Sequence, residues 1–414
     1  MKTIEPRPIK EYALGIYDGP HATPKESFEG AVFLGIKNIT DDGRLDLSEI
    51  RYVSEEDLPR WTRRVTPQPG DVVLTYEATL HRYAVIPEGF RGCLGRRVAL
   101  VRPDPVKADS RFLLYYFLSH GWRKVIERFV ITGATVDRIP LEKFPEFPVA
   151  LPILSVQKEI ASTLSAYDDL IENNRRRMTL LEETARLLYR EWFVHLRFPG
   201  HEHMRIVNGV PVGWERGSVA DFYDTSSGGT PSRTNPDFFT GAHLWVKTQE
   251  LLNGFITDTE EKITDEALKH SAAKLFPEQT VLVAMYGATI GQLGILAHTA
   301  ASNQACCAVV PRDDRANFIH AFLFLQENKE KLIGFSMGAA QKNINQQIIR
   351  SYPVVMPPAG LMVVFRDTLQ PAFDQLLNLQ RQNQKLKAAR ELLLPRLMSG
   401  DISVFVCQEN KDNP

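Results

Sequence analysis

The 414-residue chain has only four cysteines, Cys93, Cys306, Cys307 and Cys407, and none stands in a CxxC pair or beside a spaced histidine cluster. That excludes a zinc-finger type of ligand set; sequence neighbours such as Cys306 and Cys307 rarely pair, and the usage fits a reducing cytoplasm. No apolar run approaches the length of a membrane-crossing helix, and the opening "MKTIEPRPIK" has no apolar signal core, so the chain reads as soluble, with no membrane partner. Neither sign of charge is in excess: the formal net charge is -1, with 22 basic and 21 acidic residues over 1–150 and 13 against 15 over 205–356. A polyanion partner would have to meet positive charge that folding gathers into one place. Motifs of catalysis are missing too. There is no GxGxxG after a strand, no GxxxxGK[ST], no HExxH, and "MPPA" at 356–359 lacks the polar lead and the aromatic of an amino-methyltransferase tetrapeptide, so no cofactor and no metal are expected in this chain. One pattern points elsewhere: Asp237 followed by Glu260, Glu261 and Lys262 has the residue types of a metal-dependent nuclease, which needs two carboxylates on a divalent ion and a lysine near the attacking water.

What the chain does have is a repeat of itself. "GATVDRIPLEKFPEFPVALP" (133–152) aligns with "GAAQKNINQQIIRSYPVVMP" (338–357) at an offset of 205, and beyond it Tyr167 meets Phe373, Asp168 meets Asp374 and Arg175 meets Arg381 at an offset of 206. Each half opens on a Gly/Pro-rich stretch, "DGPHATPKESFEG" or "SSGGTPSRTNPDF", with Thr-Pro pairs at 23/24 and 230/231. Short β-like runs follow in each half, such as "AVFLGI" and "DVVLTYEA" or "TVLVAMYGATI" and "CCAVVP", and then helical segments. The reading is an α+β fold of two similar modules, 1–150 and 201–356, followed by long helices at 151–200 and 357–414.

The first long helix, from about Ser155 to Phe193, has no glycine or proline, and its apolar positions recur at steps of three and four: Ile160, Leu164, Tyr167, Ile171, Asn174, Met178, Leu181, Ala185, Leu188 and Trp192. This is the 3.5-residue period of a coiled coil, and about 39 residues at 1.5 Å each make a rod near 58 Å. Asn174 stands in that seam as a candidate for fixing register. The second helix has a weaker seam through Leu369, Phe373, Leu376, Asn383, Leu386, Leu393 and Leu397, with polar interruptions at Gln380, Asn383 and Arg390 and with Pro395 predicting a break or kink.

Side chains suited to nucleic acid cluster in the module loops. "RWTRRVTPQPGD" holds Arg60, Arg63 and Arg64, and "FRGCLGRRVAL" holds Arg96 and Arg97; arginine forks fit phosphate oxygens and guanine edges. The second module offers Lys247, Thr248, Tyr286, Thr289, Asn303, Gln304, Gln341, Lys342 and Asn343. Lys37, Tyr76 and Arg138 complete the candidates in the first module.

The duplicated plan, the mid-chain "IENNRRRMTLLEETARLLYREWFVHLRFPG", the terminal "KLKAARELLLPRLMSGDI" and the motifs "DGPHATP", "GGTPSR", "LWVKTQEL", "MYGATIGQLGI" and "NQACCAVVP" together resemble the specificity subunits of type I restriction-modification enzymes over nearly the whole chain. The resemblance implies that each module is a target recognition domain reading half of a bipartite double-stranded DNA sequence. It implies that the two long helices pair antiparallel as a spacer, giving a pseudo-twofold repeat. It also implies a non-catalytic subunit that docks two modification (methyltransferase) subunits and restriction subunits, with S-adenosylmethionine, ATP and Mg²⁺ belonging to those partners. On the family's DNA-facing loops it nominates His21 and Thr23 in one module, Thr230, Ser232 and Arg233 in the other, and Tyr286, Thr289, Asn303 and Gln304, with Ser302 where the pattern has Thr. The first module departs from the second, having "YEATLHRYAVI" opposite "YGATIGQLGIL" and "GRR" opposite "NQA", which implies an asymmetric target. A specificity subunit of a related methyltransferase system with another cleavage partner is the alternative, and the metal-dependent nuclease is the more distant one.

Overall fold

Two compact units carry the repeat in the computed structural model, which describes residues 4–25, 27–133, 136–335 and 343–402. One unit is 1–170 with 385–414, and the other is 171–384. Each therefore holds one α+β module and part of each long helix, the cuts falling inside the helices rather than in a linker.

In the first unit, Ala13–Asp18, Val98–Pro103, Val72–Thr75 and Tyr83–Val85 make an antiparallel sheet in that spatial order. Beside it, Ala31–Leu34 lies between Arg51–Val53 and Gly92–Leu94, parallel to the latter. The second unit repeats this with Tyr223–Ser227, Cys306–Pro311, Val281–Ala284 and Leu293–Leu296 in order, and adds Gly254–Ile256 parallel to the last. Its smaller sheet places His243–Val246 parallel to Ala300–Ser302 and adds Leu275–Phe276 on the outer side.

The central strands are buried on both faces, so they read as continuous apolar runs rather than as alternation. On Val281–Ala284 and Cys306–Pro311, Val281, Val283, Cys307 and Val309 pack toward the helix Phe318–Glu327, while Leu282, Ala284, Cys306 and Ala308 pack into a second core on the other face. Successive side chains point to opposite faces of a strand, so Cys306 and Cys307 look away from each other; both are free, and burial pushes both thiols up to about 12. The first unit divides Val72, Leu74, Ala99 and Val101 from Val73, Val98 and Leu100 in the same way. Helices cover the first of these faces. Each begins on a side-chain cap: Asp109 accepts from the Phe112 amide at 2.9 Å and Asn317 from the His320 amide at 2.9 Å.

The central helix, Leu154–Tyr189, continues through a π turn at Arg190–Val194. Its first turns belong to the first unit, where Ile160, Ala161 and Leu164 are buried with Leu397 of the C-terminal helix. There Tyr115 Oη donates to Asp168 at 2.5 Å, and Arg390, on the C-terminal helix, pairs with the same carboxylate. Its later turns belong to the second unit, where Ala185, Tyr189 and Trp192 share a core with Phe365, Leu369 and Phe373, and Asn174 Nδ2 donates to Asn383 Oδ1 at 3.0 Å. Partner numbers fall as helix numbers rise, from 174 with 383 to 192 with 365, so within the second unit the segments run antiparallel. Of the remaining seam positions, Ile171 and Leu376 are buried, and Tyr167, Met178, Leu181, Leu188 and Leu386 are half-buried.

The polar interruptions of the C-terminal helix each meet a defined partner: Gln380 Nε2 donates to the Phe255 carbonyl at 2.6 Å, Asn383 accepts from Asn174, and Arg390 pairs with Asp168. The break expected at Pro395 is not there. The helix runs from Ala359 to Ser399 through both Pro371 and Pro395, because Leu393, Leu394, Leu397 and Met398 pack on the first module's core on either side of the proline and offset the lost amide bond. Among the described residues no helix is long and apolar enough to cross a membrane.

Candidate nucleic-acid interface

Five loops of the second module converge through hydrogen bonds. The Gly228 amide donates to the Cys306 carbonyl (3.3 Å), and that of Gly229 to the Ser302 carbonyl (2.9 Å). A Cβ on either glycine would collide with the backbone of Ser302 or Ala272, so "GG" is required by close approach. This lays Thr230 against Gln304, to whose Oε1 its hydroxyl donates. The Asn303 amide donates to the Val246 carbonyl (2.9 Å), which brings in the turn at Lys247 and Thr248. The Met285 amide donates to the Ala305 carbonyl (2.8 Å) and the Ile344 amide to Met285 (3.0 Å), which brings in Tyr286 and Thr289 from one side and Asn343 from the other. Gln341 and Lys342 lie outside the described residues.

The second module's cations in this cluster are held by acids. Arg233 forks onto Glu261 (2.6 and 3.2 Å) and lies 4.1 Å from the Phe239 ring centroid. Lys247 donates to Glu260 at 2.6 Å and to Glu261 at 3.0 Å, with 12% of its side chain exposed. The Arg233 guanidinium first, then Lys247, hold Glu261 below the usual carboxylate range, and Glu260 first, then Glu261, raise Lys247. Glu261 is 28 and 14 residues from these partners, and no local motif announces it. The Ser232 hydroxyl lies 2.8 Å from Thr234 Oγ1. Tyr286 is 39% exposed on its turn. Of the nuclease pattern, Glu260 and Glu261 are thus committed to Lys247 and Arg233, and no group of three or more His, Cys, Asp or Glu able to hold a metal exists among the described residues.

The first module repeats four of these five backbone bonds, the fifth being absent because Pro20, opposite Gly229, has no amide hydrogen. Gly19 donates to Val98 as Gly228 does to Cys306, Gly95 to Leu34 as Asn303 to Val246, Tyr76 to Arg97 as Met285 to Ala305, and Ile139 to Tyr76 as Ile344 to Met285. Two pairings drawn from the letters shift accordingly. His21, not Thr23, stands opposite Thr230, and Tyr76 is the counterpart of Met285 rather than of Tyr286. Tyr76 is buried at 5% exposure, and burial first, then the charge of Asp18, pushes its phenol up to about 12. Its hydroxyl is 3.5 Å from His21 Nδ1, and His21 Nε2 is 3.1 Å from Asp18, which also pairs with Arg64. The equivalence of "GRR" with "NQA" does hold, placing Arg96 where the second module has Gln304 and Arg97 where it has Ala305.

Around this frame Lys37 pairs with Glu49 (2.8 Å) and Arg97 with Glu77 (2.9 Å). Thr23, Arg63, Arg96 and Arg138 are exposed. Pro20, His21, Ala22, Arg60, Trp61, Arg63 and Arg64 line a cleft of about 340 Å³. The geometry suits a polyanion with exposed base edges: fixed backbone loops, arginine forks, and neutral amides and hydroxyls at one cluster per module.

The family model described as "Type I restriction modification DNA specificity domain" matches residues 48–183 and again 211–388. The chain is 24% identical over 363 residues to the type I restriction enzyme MjaIX specificity subunit of Methanocaldococcus jannaschii, covering 86% of this chain and 82% of that one. It is 21% identical to the HindI specificity subunit of Haemophilus influenzae over 65% of this chain and 72% of the relative. A crystal structure of a type I restriction-modification system S subunit from M. genitalium shares the fold, with a TM-score of 0.59 at 13% identity over 96% of this chain and 97% of the other.

Proposed function

The chain belongs to the type I restriction modification DNA specificity family, and from that membership we propose that it is the DNA-reading subunit of a type I restriction-modification complex, itself without a catalytic centre. It recognises an asymmetric, bipartite double-stranded DNA target, one half per module. The observation that carries this reading is one backbone frame built twice with different side chains at equivalent loop positions: His21 and Arg96 in one module, Thr230 and Gln304 in the other. Like frames set a similar approach to DNA, and unlike side chains favour unlike bases. The nominated DNA-contacting residues are those of the two loop clusters, with Lys37 and Arg138 on their flanks, and Gln341 and Lys342, which lie outside the described residues.

The two long helices act as the spacer, so that spacing between half-sites follows helix length. Two modification subunits dock on this chain and supply S-adenosylmethionine for adenine methylation. Restriction subunits join them and use ATP and Mg²⁺. The test is to map methylated adenines in cells carrying this chain with its modification partner. Two different half-sites at one spacing are expected; a palindrome, or a single continuous site, overturns the reading.

A further inference from the structure

The modules differ in how their cations are balanced, and this assigns them different shares of the binding energy. In the second module both cations nominated for DNA contact within the described residues, Arg233 and Lys247, are already neutralised by Glu260 and Glu261. In the first, Arg60 and Arg63 line the same cleft and are exposed, and no carboxylate pairs with either among the described residues, whereas their neighbour Arg64 is taken by Asp18.

The wall that presents them is rigid. Trp61, at 6% exposure, is sunk edge-on against Phe33, with ring centroids 5.7 Å apart, in a core with Val53 and Cys93. Thr62 Oγ1 then donates back to the Leu58 carbonyl at 3.0 Å, closing the turn on which Arg60 sits. The opposite wall is the His21 loop, tied through Gly19 to the reading frame. Two guanidiniums without a carboxylate partner among the described residues, in a cleft beside that loop, meet the requirements of a phosphodiester clamp: permanent positive charge, fork geometry, and no anion to displace among those residues.

We propose that Arg60 and Arg63 grip the DNA backbone phosphates flanking the first half-site, so that most of the salt-dependent affinity resides in the first module while the second reads through neutral hydrogen-bonding groups. The proposal rests on the DNA-reading function above. Each phosphate contact contributes a slope of about 0.9 to the fall of log K with log salt, so loss of two lowers the slope by about 1.8, and the variant's deficit against wild type shrinks roughly twelvefold between 50 and 200 mM salt.

The experiment uses the full chain assembled with its modification subunits and a fluorescent duplex of the mapped target, titrated across that salt range. Alongside wild type run Arg60→Gln/Arg63→Gln and Arg60→Lys/Arg63→Lys, all checked for unchanged thermal unfolding. A slope lower by about 1.8 in the glutamine pair, restored in the lysine pair, with the methylated sequence unchanged in cells, supports the clamp. An unchanged slope overturns it. So does a lower slope accompanied by a relaxed first half-site, because phosphate contacts carry no sequence information. Failure of the wild-type complex to bind duplex DNA at any salt sinks the function itself and the clamp with it.

Discussion

Arg390 ties the C-terminal helix to the central helix through Asp168. Its side chain is 10% exposed, and its partner Asp168, on the central helix, is 26% exposed and also accepts from Tyr115. Burial first, then the Asp168 charge, raises the Tyr115 phenol, so it stays a neutral donor. Arg390→Met keeps the stem's packing but leaves Asp168 with the phenol alone. Breaking a fully buried pair costs about 3–5 kcal/mol and an exposed one under about 1; with one partner a quarter exposed, about 2 kcal/mol is expected. Asp168→Asn should cost a similar amount by stranding the guanidinium. The double variant should regain at least about 1 kcal/mol of the sum, because neither charge is then left behind. Native-state amide exchange by mass spectrometry reads this locally: at 1.4 kcal/mol per tenfold, peptides over 158–170 and 386–399 should exchange roughly 30-fold faster in either single variant. Peptides over 281–311 should be unchanged. Single variants within threefold of wild type, or a double variant as weak as the sum of the singles, would refute the argument.

Asn174→Leu exchanges the side-chain hydrogen bonds to Asn383 (3.0 Å) and Gln382 (3.4 Å) for apolar burial, and should slow exchange around 171–178 while loosening register. Paired cysteines placed across the two helices should then crosslink at offsets one heptad apart; crosslinking at the native offset alone would count against a register role. Deleting one heptad within 170–185 removes about 10 Å of helix, roughly three base pairs of spacer, so methylation should move to a shorter spacing or cease, with each half-site unchanged. An unaltered spacing would show that helix length does not set it. His320, fully buried 2.7 Å from the Tyr223 hydroxyl, has its pKa pushed down to about 3 by burial. The unfolded chain therefore binds the extra proton first as pH falls, so this residue's contribution is intact above about 6.5 and is lost at about 1.4 kcal/mol per pH unit from there toward 3. His320→Gln should flatten that part of the pH dependence of urea unfolding; identical wild-type and variant slopes between pH 6.5 and 5 would exclude it.

Local periodicity and self-similarity determine much of this protein without reference to any tertiary contact. A strand or helix follows from the order of neighbouring apolar residues, and a duplicated module follows from Pro148 matching Pro353 and Ile139 matching Ile344. The fold class rested on these, and the relatives and the shared fold agree with it. Register between the modules did not follow from letters. The Thr-Pro pairs and the tyrosines of "YEAT" and "YGAT" align by eye, yet backbone bonding sets His21 against Thr230 and Tyr76 against Met285, because loops of unequal length slide past letter matches while strand pairing cannot slip by one residue without turning every side chain over. Charge balance also needed the tertiary structure. Lys247 and Arg233 read as available cations until Glu261, far along the chain, folds between them, and Arg60 and Arg63 differ from Arg64 only in that no carboxylate has been brought to them among the described residues. Sequence fixes which charges exist; Coulomb's law acts across space, so only the fold decides which of them remain for a partner.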